Sequence, residues 1–272
     1  MNNTTQDVVN FVLNYYHIDL SVFELSYLQK MIRNNMTVHK CKSVNDYIEQ
    51  LKNAPECFAG LMDSFYNSHT TFFRYEQNLN VLYYDIIPKI LREKNSSDEL
   101  RIWSLGCSTG QEPYSLAIML EECMKQLDFN FQYRIFGSDI LKYNLDVARI
   151  GIYTEREVGN LTLDQVNNYF DKTDDVYRVR EEIKNNVTFS QFDILSKNKY
   201  PSESIYGAFD IIFCNNLLIY YNKDIQNDII DKLQHLMKPN SYLATSYSER
   251  ESIKKSLILK SVKFSSSVFI KE

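Results

Sequence analysis

Apolar residues recur at helical spacing through the first quarter of the chain and crowd into short runs beyond residue 100. In "DVVNFVLNYY", Val8, Val9, Phe11, Val12, Tyr15 and Tyr16 fall on one helical face. "FELSYLQKMI" repeats the pattern with Leu25, Leu28, Met31 and Ile32, and Ser43 stands as N-cap before "VNDYIEQLK". Pro55 suits a first helical turn, and Phe58, Leu61, Met62 and Phe65 line the face that follows it. These stretches predict a small all-helical domain over residues 1–66. A linker over 67–98 comes next, its later part amphipathic and helical up to the polar break "EKNSSDE".

From residue 100 the texture changes to alternation. "LRIWSLG", "YRIFGSD", "VTFSQFDI", "AFDIIFCNN" and "SYLATSYSE" read as strands. "PYSLAIMLEECMKQL", "ILKYNLDVARIGIY" and "KDIQNDIIDKLQHLMKP" read as helices. Strands that lack a polar face, separated by helices, imply a largely parallel sheet covered on both sides. The predicted fold is α/β, with this sheet domain over 99–272. Within it, "NNYFDKTDDVYRVREEIKNNVTF" carries a short β-like core, Val176 to Val179, between charged turns. It predicts a small antiparallel β-subdomain at about 168–190.

Composition narrows the function. No apolar run reaches the ~20 residues of a membrane span, and the start "MNNTTQD" is not a signal peptide, so a cytoplasmic chain without membrane insertion is expected. The cysteines Cys41, Cys57, Cys107, Cys123 and Cys214 form no CxxC pair, and the four histidines are scattered. Neither a disulfide framework nor a metal site is expected. Net charge is −5 with no basic tract, which argues against nucleic acid as a partner.

The candidate chemistry lies in "RIWSLGCSTGQEPYSLAIML". Only seven glycines occur in 272 residues, yet Gly106 and Gly110 fall together between a strand and a helix. Glycines there permit a sharp turn and close approach of a ligand to the main chain; a plain strand-to-helix turn is the simpler alternative. Asp139 ends the next strand about 30 residues downstream, where an acid holds ribose hydroxyls in nucleoside-binding folds. It could equally cap the following helix. The turn reads GxxxG rather than GxGxxG, and Glu112 puts a carboxylate at a helix start otherwise suited to phosphate. That charge repels a pyrophosphate but tolerates a cationic, phosphate-free nucleoside, so the pattern favours S-adenosylmethionine (SAM) over NAD.

These residues resemble the CheR-type chemotaxis receptor methyltransferases. The resemblance rests on "TTFFR" (Thr70 to Arg74), "WSLGCSTGQEPYSLAI", "GSDI", "ARIGIY", "FDIIFCNNLLIYYNKD" and "LMKPNSYL". It implies a Rossmann-like SAM-dependent methyltransferase domain preceded by a helical domain. The implied activity is transfer of a methyl group to glutamate side chains of chemoreceptors, leaving S-adenosylhomocysteine (SAH). Cofactor contacts are implied at Thr70, Arg74, Glu112, Asp139, Asp193, Ile194, Asn215 and Asn216, together with the Gly106 and Gly110 turn. Arg74 and Tyr220 match the positions beside the methyl group. Chemoreceptor cytoplasmic helices are the implied partner, and the chain is expected to act as a monomer.

The chain departs from the family pattern in places. Asn215 stands where the family has Arg, and Ser68 where Asn is common. The family's late Gly-His-Ser-Glu segment is "TSYSE" here, keeping Ser248 and Glu249. "FDKTDDVYRV" lacks the glycines of members that grip a receptor's C-terminal pentapeptide, so such tethering is not expected. These departures motivate an alternative, a SAM-binding module that docks on receptors without catalysis. Methyl transfer to an already ionised glutamate needs alignment and desolvation but no general base, and the sequence carries no acid–base dyad.

Overall fold

The computed structural model describes residues 3–66, 69–93, 98–198, 200–201, 204, 208–263 and 266–272. Ser68 lies outside the described residues. The chain forms two compact units, one of Met1–Asn67 with Leu217–Asp228, the other of Ser68–Asn216 with Ile229–Glu272.

The first unit holds α1 (Asn3–Tyr16), α2 (Leu25–Val38), α3 (Val44–Asn53) and α4 (Pro55–Ser64). The caps follow the residue chemistry. Ser43 accepts from the Asp46 N–H at the start of α3, and Pro55 takes the first position of α4, where its missing N–H costs nothing. Leu28, Ile32, Leu51, Leu61 and Phe65 are buried, and Asn35 sits among them. The Asn35 side-chain oxygen accepts from Tyr47 at 2.7 Å, so its burial is compensated. Residues of the Leu217–Asp228 segment complete this unit. Phe23 stacks on Phe65 and on Tyr221, and the Tyr220 carbonyl accepts from the Glu24 N–H at 2.8 Å.

In the second unit, α5 (Glu76–Val81) continues through a π-helical stretch (Leu82–Ile86) into α6 (Ile87–Glu93). The α/β alternation then runs β1 (Leu100–Leu105), α7 (Gln111–Leu127), β2 (Tyr133–Asp139), α8 (Lys142–Ile150) and β3 (Ile152–Thr154). It continues with α9 (Glu155–Val158), α10 (Leu163–Tyr169), β4 (Phe170–Thr173), β5 (Val176–Val179), α11 (Glu181–Lys184) and β6 (Val187–Gln191). The remaining elements are β7 (Phe209–Cys214), α12 (Lys223–Leu236), β8 (Met237–Thr245), α13 (Arg250–Ile253), β9 (Leu259–Ser261) and β10 (Val268–Lys271).

The main sheet has the order β6-β2-β1-β7-β8-β10-β9. Strands β6, β2, β1, β7 and β8 are parallel, whereas β10 pairs antiparallel with β8 on one side and with β9 on the other. Every residue of β7 is buried, and Leu100, Ile102 and Trp103 of β1 are fully so. This is the pattern of strands covered on both faces. The buried Trp103 indole N–H donates to Ser138 Oγ at 2.9 Å. A separate three-stranded antiparallel sheet has the order β3-β5-β4.

Three stretches differ from the sequence reading. The helix expected through "ARIGIY" stops at Ile150, because Gly151 adopts φ +64 and ends it; Ile152–Thr154 then forms an edge of the small sheet. The strand expected through "SYLATSYSE" stops at Thr245, where Ser246 and Glu249 cap each other across a 3-10 turn. The sequence reading placed no element at β9 and β10, which pair with the edge of the main sheet.

Gly110 joins β1's turn to α7 with φ +96, and a Cβ there would lie 2.8 Å from the Ala148 Cβ and 3.0 Å from the Tyr153 hydroxyl. Gly110→Ala is therefore expected to lower stability by about 2–4 kcal/mol, from backbone strain plus overpacking. Chemical denaturation that leaves the midpoint and slope unchanged would refute this account of the turn.

Candidate functional site

Sheet topology sets where a site can form. From β1 the chain moves to β2 and β6 on one flank, and β7 lies on the other, so the strand order reverses between β1 and β7. Loops leaving the carboxyl ends of such a pair diverge and open a crevice. Leu105 is in register with Cys214 on one side and Ser138 on the other. Residues 106–110, Asp139 and residues 215–216 therefore emerge at one edge of the sheet.

The first turn is pinned by its own backbone. The Gly106 and Cys107 N–H groups both donate to the Ser138 carbonyl, at 2.8 and 2.9 Å. Gly106 has φ +73, and Ser108, a residue with a Cβ, has φ +49. Asp139 stabilises that conformation, because its Oδ2 accepts from the Ser108 N–H at 2.8 Å. Its Oδ1 takes the Leu141 N–H at 3.0 Å and the Asn144 amide at 3.2 Å. The N-cap of α8 is Leu141 rather than Asp139. Burial pushes the Asp139 carboxyl up, opposed by these hydrogen bonds. A carboxylate has about four acceptor positions, and the Ser108, Leu141 and Asn144 donors take three of them.

Glu112 is the chemical centre of the crevice. It lies in the first turn of α7, and its two oxygens are divided between neighbouring strands. Oε1 accepts from Ser104 Oγ of β1 at 2.7 Å, and Oε2 from the Asn215 amide after β7 at 2.7 Å. Burial pushes this carboxyl up; Ser104, Asn215 and the positive field of Arg74 act the other way, and Glu249 adds to the rise. Among the described residues its hydrogen bonds come from neutral donors, and Arg74 supplies positive charge only through its field, so the carboxylate suits a cation arriving here.

The turn after β7 completes this edge. Asn216 has φ +55, and its N–H donates to Glu249 Oε2 at 2.8 Å. Among the described residues, the side-chain oxygens Asn215 Oδ1 and Asn216 Oδ1 are buried without a hydrogen-bond partner. Buried amide oxygens normally find donors. Two orphaned acceptors beside a buried carboxylate fit the hydroxyl and ammonium donors of a phosphate-free nucleoside.

The "TTFFR" segment is carried to α7 by packing. The Phe73 N–H donates to Ser115 Oγ at 2.9 Å, Phe72 is fully buried against Tyr153 and Phe170, and Asn160 bonds the Phe72 carbonyl. Phe73 has φ +51, a costly conformation for a bulky residue. Left-handed non-glycine backbone thus occurs in each of the three segments, at Phe73, Ser108 and Asn216. Thr70 precedes this turn and is half-buried, while Arg74 is exposed. Arg74 donates to the His69 carbonyl at 2.7 Å and lies over the Tyr75 ring. It lines a cavity of about 290 Å³ with Asn78, Tyr247 and Ser267. Among the described residues it makes no ion pair within 4.0 Å.

Two other predicted positions stand in the 192–196 turn after β6. Asp193 Oδ1 accepts from the Leu195 N–H, and the Ile194 carbonyl accepts from Lys232 Nζ at 2.7 Å. Tyr220 belongs to the first unit, where its ring lies 4.8 Å from that of Tyr27. The sequence reading missed Ser104 and Asn144 and gave Ser108 and Ser115 no role of their own. Their donors shape the crevice, but a serine or asparagine in a motif carries no pattern that announces its partner.

The comparisons accord with this geometry. The model of the family described as CheR methyltransferase, SAM binding domain, matches residues 68–267. A chemotaxis protein methyltransferase of Borreliella burgdorferi is 33% identical over 258 residues, covering 91% of this chain and 89% of that protein. The protein of the same description from Escherichia coli is 34% identical, over 70% of this chain and 65% of its own length. That from Salmonella typhimurium is 35% identical, over 66% and 59%. Part of each enterobacterial relative therefore lies outside the match. The strand-reversal crevice, the glycine turn and the matched sequence agree: this chain belongs to the CheR methyltransferase family and is built to bind S-adenosylmethionine.

Proposed function

We propose that this chain esterifies glutamate side chains on the cytoplasmic helices of chemoreceptors, leaving SAH as product. The carrying observation is the crevice edge itself: Glu112 bonded by neutral donors, with the orphaned acceptors Asn215 Oδ1 and Asn216 Oδ1 beside it. When bound, SAM supplies an electrophilic methyl group on a sulfonium. Glu112, Asp139, Asn215 and Asn216 would hold it by its ammonium, hydroxyl and adenine donors, with Asp193, Ile194 and Thr70 contributing at either side.

The remaining task falls to the protein. A glutamate carboxylate, with a pKa of about 4.3, is already ionised at neutral pH. No side chain has to remove a proton, and the described site offers no dyad that would. Alignment and exclusion of water are the contributions left, and alignment alone can supply several kcal/mol. Arg74, exposed and without an ion pair among the described residues, is suited to orient the incoming carboxylate; for Tyr220 the role beside the methyl group rests on the family resemblance alone.

Arg74→Ala is expected to remain folded and to lose about 100-fold in receptor methylation. The readout is base-labile tritium transferred from labelled SAM to receptor membranes. Unchanged turnover would remove Arg74 from the site, and absence of base-labile label with wild-type protein would favour a docking module without catalysis.

Glu112 makes a further expectation with a defined sign. Its raised carboxyl protonates at higher pH than an ordinary glutamate, and a cationic ligand favours the ionised form. SAM affinity should therefore strengthen as pH rises through that raised range and weaken as pH falls. Stability of the free protein moves oppositely: the contribution of this group is present at low pH and is lost as pH rises through the same window. Glu112→Gln should weaken binding and flatten its pH dependence. A pH-independent wild-type affinity, measured by calorimetry across the acidic range, would contradict the assignment.

A further inference from the structure

The turn after β7 is held by a residue to which no motif assigned a role. Glu249 ends the 3-10 turn that follows β8 and is 1% exposed. One of its oxygens, Oε2, gathers donors from two strand ends. It accepts the Asn216 N–H at 2.8 Å, the Ser246 N–H at 3.2 Å and the Ser246 hydroxyl at 2.5 Å. The Thr245 hydroxyl lies 2.9 Å from the same oxygen and 2.9 Å from the Cys214 carbonyl. Its single proton can serve either acceptor, so the last residues of β7 and β8 are joined to Glu249 in one cluster.

What the cluster holds is strained. Asn216 has φ +55, and a non-glycine residue stays in that region only where its surroundings require it. Glu249 supplies the partner of its N–H. The adjoining amides then end with one set of contacts made and one set open: Asn215 Nδ2 bonded to Glu112, and both Oδ1 atoms buried without partners. A loop free to relax would turn those oxygens toward solvent, since an unsatisfied buried acceptor is costly. Asn78 ties the Arg74 side of the crevice to the same strand end, donating to the Thr245 carbonyl at 2.8 Å and accepting the Ser267 N–H at 3.2 Å.

We propose that Glu249 is a positioning residue for the cofactor. By holding the Asn216 N–H it keeps Asn215 and Asn216 as a preformed pair of acceptors, and it acts through them without touching the ligand. The assignment rests on the reading of this crevice as the SAM site.

The test is calorimetric titration of SAH into the full chain, wild type and Glu249→Ala, Glu249→Asp and Glu249→Gln, with a melting curve for each. Alanine removes the acceptor and aspartate withdraws it by one methylene. Both are expected to raise the Kd about tenfold, the effect of one lost buried hydrogen bond. Glutamine keeps a carbonyl oxygen at the same reach and should stay within about twofold of wild type. In turnover, KM for SAM should rise with Kd while kcat at saturation is held, a split that general destabilisation does not produce. If the alanine protein does not fold, the aspartate and glutamine pair carries the comparison. Wild-type affinity in a folded alanine or aspartate variant overturns the assignment, as does an equal loss in the glutamine variant. A wild-type protein that takes up no SAH overturns the cofactor reading as well, which separates the two failures.

Discussion

The parallel pairing of β1 with β2 on one side and β7 on the other is the constraint from which the site follows. Parallel strands cannot be joined by tight turns, so each must send the chain away through a helix or a loop at its carboxyl end. With Leu105 level with both Ser138 and Cys214, three such exits begin at the same height. The chain must leave β1 and enter α7 within a few residues, which it does through Gly106, Ser108 and Gly110 in left-handed conformations. That backbone is expensive, and the Asp139 carboxylate, receiving the Ser108 N–H, is part of what holds it.

The same device recurs around the crevice. A carboxylate at the end of an element receives backbone or side-chain donors from a neighbouring exit: Asp139 for the turn after β1, Glu112 for the residue after β7, Glu249 for the residue beyond it. Each acid joins segments distant in sequence, and each bond is made where water is largely excluded and neutral partners are worth more. The crevice segments are thus tied together through its acids, and among the described residues open hydrogen-bonding capacity is left on two asparagine oxygens. Such a surface suits a ligand rich in donors and carrying positive charge.

The Asn215 departure fits within this arrangement. An arginine there would offer Glu112 a full counter-charge, whereas an amide offers a hydrogen bond and leaves the charge balance to Arg74 and to the ligand. The change therefore shifts the site's electrostatics while keeping a donor on Glu112.

Much of the architecture was legible in the residues themselves. Apolar periodicity located the helices of the first unit, since each needs one face to bury, and unbroken apolar runs located β1, β2 and β7, since a strand covered on both faces has no polar side. The glycine pair and the strand-end acid marked the crevice because few residue types can occupy such positions. Other features depended on partners far along the chain. Gly151 ends a helix where local pattern would continue it, and β9 and β10 exist because an exposed sheet edge accepts them. Ser104 meets Glu112, and Asn216 meets Glu249, only after distant strands are brought side by side. Periodicity is a property of neighbours along the chain and can be read there; the partner of a buried polar atom is decided by which strands lie next to each other, and that is a property of the folded sheet alone.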